Sequence, residues 1–129
     1  MAKFESPKVM INKSAKELYS ILGNLNNLKN IIPPNMQQFE STEDSCSFKM
    51  ESMPKIQLEI KERIPYSKIT LMAKDSQIPF SLDCKIIDKN TQCEAQLEIN
   101  AEINMMMKMM VEKPLTNMLN LLASKMQSL

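Results

Sequence analysis

The sequence predicts an α+β protein: a curved antiparallel sheet of about seven strands, two short helices after the first strand, and a long C-terminal helix packed on the concave face. Three observations carry this expectation. Apolar side chains alternate with period two from about residue 36 to 103, and helical spacing takes over from about Asn104 to Leu129. Between the opening strand and the alternating region, Asn12-Lys13-Ser14 supplies a helix start. A sheet with one apolar face needs a partner layer, and the last segment carries the apolar surface to provide it. The 129 residues fit one domain, 1–129, built around one core.

Residues 3–11 read as a strand that Pro7 interrupts, so an edge position or a bulge is expected there. Ser14 is a good N-cap, and Glu17 completes a capping box with it. Leu18, Ile21, Leu22 and Leu25 then form one helical face, which Gly23 ends. Asn24 or Asn26 caps a second short helix through Leu28, Ile31 and Ile32, and Pro33-Pro34 stops it.

The alternating region runs through Cys46, Phe48 and Met50; Ile56, Leu58 and Ile60; Ile69, Leu71 and Ala73; then Phe80, Leu82, Cys84 and Ile86. Its cleanest stretch is Cys93, Ala95, Leu97, Ile99, Ala101 and Ile103 against polar neighbours. Turn signals at Glu43-Asp44, Met53-Pro54, Pro65-Tyr66-Ser67, Asp75-Ser76 and Asp88-Lys89-Asn90 imply consecutive hairpins. In the last segment Val111, Leu115, Met118, Leu122 and Met126 define the stripe, widened by Met107, Met110, Leu119 and Leu121. Pro114 falls inside it, which predicts a kink or a short lead-in before a main helix starting near Lys113.

Composition excludes whole classes of function. The net charge is +1, which offers no footprint for nucleic acid. Absence of His removes imidazole bases, their nucleophilic pairs and the commonest zinc ligand, and a single Gly cannot build a phosphate-binding loop. No metal site and no cofactor are expected. Cys46, Cys84 and Cys93 lack metal or redox spacing and fall on the apolar phase of strands, so they read as buried thiols. The chain starts without a signal-peptide run, and its apolar runs are far shorter than the about 18 residues of a membrane span. A cytoplasmic protein without stable membrane insertion follows as the expectation. The unusual entry in the composition is 13 Met.

The opening strand before Asn12-Lys13-Ser14-Ala15-Lys16-Glu17-Leu18-Tyr19 resembles the START-like superfamily. So do Leu25-Asn26-Asn27-Leu28-Lys29-Asn30-Ile31-Ile32-Pro33 and Met105-Met106-Met107-Lys108-Met109-Met110 with Pro114-Leu115. That superfamily has the helix-grip fold and includes polyketide cyclases, the birch-pollen allergen family and lipid-transfer domains. The likeness covers nearly the whole chain and is greatest to the small bacterial branch. It implies a cavity between sheet and terminal helix that binds or carries a small hydrophobic molecule, lipid or polyketide-like. Mapped onto this chain, the lining is Phe48, Met50, Leu58, Ile60, Ile69, Leu71, Phe80, Leu82, Leu97 and Ile99 from the sheet. The helix adds Met107, Met110, Met118 and Leu122. Methionine suits such a site because it repacks around different apolar shapes. Read from the residues alone, a filled core remains the alternative.

Glu62 falls on the inward phase if its strand stays regular, where it could meet the polar end of a ligand; a bulge near Arg63-Ile64-Pro65 would instead leave it at the solvated rim. Tyr19 and Tyr66 are possible polar tips at the mouth. Members that act as enzymes use arginine, tyrosine, histidine or acid clusters, and this chain has one Arg and no His. A cyclase-like enzyme therefore needs a buried Glu62 beside a tyrosine, and no catalytic residue is assigned. The other alternative is an interaction protein, similar to chaperone-activating members of the superfamily. Its Met105, Met106, Met107, Met109 and Met110 cannot all face one sheet, since consecutive helix positions point about 100° apart. They are exposed, paired across a weak homodimer, or covered by the loop before Met36.

Overall fold

A computed structural model describes residues 2–34, 36–50, 55–74 and 79–129. The expected turns at Met53-Pro54 and Asp75-Ser76 lie outside the described residues. The chain opens with β1 (Ala2–Glu5) and β2 (Val9–Ile11). Helix α1 (Ala15–Leu22) and a 3-10 helix (Leu25–Asn30) follow. The strands β3 (Gln37–Ser41), β4 (Ser45–Lys49), β5 (Ile56–Ile64), β6 (Lys68–Ala73), β7 (Phe80–Lys89) and β8 (Gln92–Ala101) lead to α2 (Met105–Met126). The sheet order is β1-β8-β7-β6-β5-β4-β3, with β2 also on β8 and every pairing antiparallel.

Pro7 acts as expected, by splitting one edge strand in two. Glu5 pairs with Glu98 and Val9 with Ala95, so four steps on the edge match three on β8 and one residue bulges. Ser6 closes the gap: its N–H donates to Leu97 O at 2.8 Å and its hydroxyl accepts Leu97 N–H at 2.9 Å.

The capping box forms as read: Glu17 N–H donates to Ser14 Oγ at 3.2 Å and Ser14 N–H to Glu17 Oε1 at 3.3 Å. Gly23 ends α1 in ordinary right-handed geometry. A Cβ there would lie 2.9 Å from Tyr19 O, so close approach, not an unusual φ, demands glycine. Asn24 caps the next segment by accepting Asn26 N–H at 3.0 Å, and that segment is a 3-10 helix. In α2 the helix runs through Pro114 without restarting near Lys113. Proline deprives Met110 O of its donor, and at that exposed position water can take its place.

The concave face is not covered by α2 alone. Helix α2 packs on β1, β8 and β2, α1 lies over β6, β7 and β8, and the 3-10 helix sits against β3 and β4. Burial on α2 begins only at Leu115. Before that point Val111 packs half-buried against the core, while Met110 faces solvent and does not line the interior.

Candidate functional site

A cavity of about 70 Å³ lies where these covers meet. Its floor is Cys46 and Phe48 of β4, Leu58 of β5, Ile69 and Leu71 of β6, Leu82 and Cys84 of β7, and Leu97 of β8. Leu22, Leu25, Leu28, Ile31 and Ile32 from the short helices, with Met36 and Phe39, form one wall; Met118, Leu122 and Met126 of α2 form the other. Leu28, Ile32, Phe39 and Leu82 are only half-buried and mark the side nearest solvent. Every described lining residue is apolar. Such a lining offers entering water no hydrogen bonds.

Of the residues mapped as lining, Phe48, Leu58, Ile69, Leu71, Leu82, Leu97, Met118 and Leu122 border the cavity. Met50 and Ile99 are buried in the filled part of the core instead. Ile60 and Phe80 are half-buried and pack against the core away from the void, and Met107 lies half-buried on the unsupported start of α2. Met110 is exposed. Sequence mapping missed the helical wall, because strand periodicity identifies a sheet face and not what closes over it. The run of Leu25, Leu28, Ile31 and Ile32 was the signal available.

Glu62 is corrected by a bulge. Ile60 pairs with Leu71 and Glu62 with Thr70, so Lys61 is the extra residue and the inward phase shifts by one. Glu62 turns outward with 56% of its side chain exposed and pairs with Lys68 at 3.7 Å. Arg63 takes the concave side of the rim, opposite Ile69. Its Nη2 donates to Gly23 O at 3.0 Å and to Asp44 Oδ1 at 2.6 Å. Tyr19 and Tyr66 meet edge to face, with centroids 5.6 Å apart and planes at 85°. Tyr66 holds φ 62° in the β5–β6 turn, a strained value for an aromatic residue. This cluster fastens α1 to the sheet; among the described residues no Asp or Glu lines the cavity, and the cyclase-like reading loses its buried carboxylate.

Burial pushes the thiols of Cys46 and Cys84 up to about 12, and that of Cys93 upward too. All three cysteines are free and buried, as their strand phase predicts. Among the described residues no cluster of His, Cys, Asp and Glu could hold a metal, and no helix is long and apolar enough to cross a membrane.

No protein-family model and no curated protein matches this sequence. Solved structures do match. Truncated norcoclaurine synthase from Thalictrum flavum superposes with a TM-score of 0.76 at 10% identity, over 98% of this chain and 91% of that one. A START superfamily protein from Mycobacterium smegmatis gives 0.69 at 12% identity, over 98% and 94%. A conserved protein from Geobacillus kaustophilus gives 0.70 at 12%, over 98% and 93%. With the curved sheet, the short helices and the gripping α2 in the same order, this chain has the START-like helix-grip fold shared with the birch-pollen allergen family.

Proposed function

We propose that this chain, acting as one domain, binds a small hydrophobic molecule between sheet and α2 without transforming it. The observation that supports this most is a void left in the core and lined, among the described residues, by apolar side chains alone. Close-packed interiors seldom leave such space. The fold adds support: a norcoclaurine synthase of this fold was solved in complex with dopamine and hydroxybenzaldehyde.

Size sets the terms of binding. At about 70 Å³ the cavity is well below the about 300–1,000 Å³ of drug-sized sites. A guest of a few heavy atoms enters as the protein stands. A lipid or polyketide-like ligand requires Met36, Met118 and Met126 to change rotamer, which unbranched methionine makes cheap, and also requires the Leu28–Ile32 wall to swing out. The buried free thiols suit a reducing compartment such as the cytoplasm.

Native mass spectrometry of freshly purified protein, joined to methyl shift mapping with decanoic acid and 2-naphthol, tests the reading. Expected are a bound species or saturable shifts at Leu58, Leu97, Met118 and Leu122. Absence of both, with the protein folded, removes it.

A further inference from the structure

The start of α2 carries an apolar surface that the core does not use. Met105, Met106, Met109 and Met110 are each 73–74% exposed. At about 100° per residue they share an arc of about 140°, opposite the face that Leu115, Met118, Leu122 and Met126 bury. Further along that outer face Asn117, Asn120 and Ser124 are polar, and Leu121, 40% exposed, continues one apolar edge. The patch is therefore concentrated at the start of the helix, unlike the scattered apolar residues usual on a monomer.

Its pattern indicates what covers it. Positions 105, 106, 109 and 110 are symmetric about the point between Met107 and Lys108. A two-fold axis there, relating antiparallel helices, sets Met105 against Met110 and Met106 against Met109 of the second copy. The same operation brings Lys113 of one copy towards Glu102 of the other, both exposed. Four methionines so exposed offer on the order of 600 Å² per copy, which for two copies reaches the lower end of specific interfaces. Glu102, Lys108, Glu112 and Lys113 around the patch balance in charge, so nothing draws it to an anionic lipid surface.

We propose that this chain forms a reversible two-fold homodimer by packing the Met105–Met110 segment of α2 antiparallel against the same segment of a second copy. Methionine on both sides lets a small interface repack to fit.

Sedimentation velocity over a concentration series tests this. A monomer–dimer equilibrium with a Kd of about 1–50 μM is expected, as suits an interface of this size. Met106→Glu with Met109→Glu sets carboxylates opposite one another and raises Kd at least about tenfold. Far-UV circular dichroism should not change, because both positions face solvent; should that pair unfold the helix, Met106→Gln with Met109→Gln gives the same reading without charge. Glu102→Lys and Lys113→Glu should each weaken the dimer and together restore it. A chain monomeric up to about 300 μM, far above that range, overturns the proposal. So does a dimer indifferent to the methionine variants, a charge swap that fails to restore, or a monomer that binds phosphatidylcholine/phosphatidylserine vesicles through this patch.

Discussion

Arg63 Nη2 donates to Asp44 Oδ1 at 2.6 Å and, from the same nitrogen, to Gly23 O at 3.0 Å. One guanidinium thereby ties the end of α1 to the β3–β4 turn and to the rim of β5. The turn is also tied through its main chain, since Leu25 N–H donates to Glu43 O at 2.9 Å and Ile60 N–H to Asp44 O at 2.8 Å. The ion pair is well exposed and contributes under about 1 kcal/mol. Satisfying the helix-end carbonyl adds to it.

Arg63→Ala is accordingly expected to destabilise by about 1–2 kcal/mol in urea unfolding, and Asp44→Asn by less than about 1. Arg63→Lys should behave more like alanine than like arginine, because the lysine Nζ ends one bond short of the position from which Nη2 meets both acceptors. Equal losses from Arg63→Ala and Asp44→Asn would contradict a role at the helix end.

Glu98 contributes to the acid limb of stability. Its side chain, 6% exposed on the outer face of β8, pairs with Lys85 and, at 3.3 Å, with Lys3. The bond from Lys85 holds its carboxyl below the ordinary value of 4.5, helped by Asn100 and Lys3 and opposed by burial. A lowered folded value means this stability is present above the unfolded pKa and lost as pH falls through the folded one. Lys3 has the opposite sign: its bond to Glu98, with Glu5 nearby, raises it above 10.5, so its contribution is lost as pH rises past the folded value. Glu98→Gln should cost about 1–2 kcal/mol at neutral pH. Urea midpoints below pH 4.5 should then converge with those of the wild type, and a constant gap would refute the assignment.

Leu122→Ala enlarges the cavity from the α2 side. Loss of a buried leucine side chain should cost about 2–5 kcal/mol, depending on how far the walls collapse. If the cavity takes guests, 2-naphthol should raise the Tm of this variant more than that of the wild type, following its tighter binding to the folded state. Equal shifts would place the binding elsewhere.

Cys46 and Cys84, with thiols pushed up to about 12, and the fully buried Cys93 should be inert to Ellman's reagent at neutral pH while the protein is folded. All three should react promptly in denaturant. Fast labelling of one thiol in the native state would show that the sheet opens locally at that strand.

Much of the fold was legible in the chain. Period two placed Cys93, Ala95, Leu97, Ile99 and Ala101 on the buried face, and each is buried. Ser14 and Glu17 announced α1, and Pro7 announced a broken edge, because caps and prolines act through their own backbone and need no distant partner. Glu62 shows where this stops. A single extra residue, Lys61, reverses the inward phase, and what stabilises that bulge lies on other elements: Asp44 and Gly23 are 19 and 40 residues from Arg63.

Methionine marks the same boundary. Helical spacing alone establishes that Met105, Met106, Met107, Met109 and Met110 cannot share one face, since that follows from the geometry of the helix. Which of the thirteen methionines line a cavity, fill a core or meet solvent depends on where the sheet ends beneath α2. It also depends on how three separate covers divide the concave face. Met36, Met118 and Met126 border the void, Met50 packs beside it, and Met105, Met106, Met109 and Met110 stand in water. By itself the sequence determined the elements, their order and, away from the bulge in β5, their apolar faces, because those are local properties of the backbone and of side-chain spacing. Tertiary structure alone decided the void and the exposed patch, because both are what remains after distant surfaces of fixed shape have been packed together.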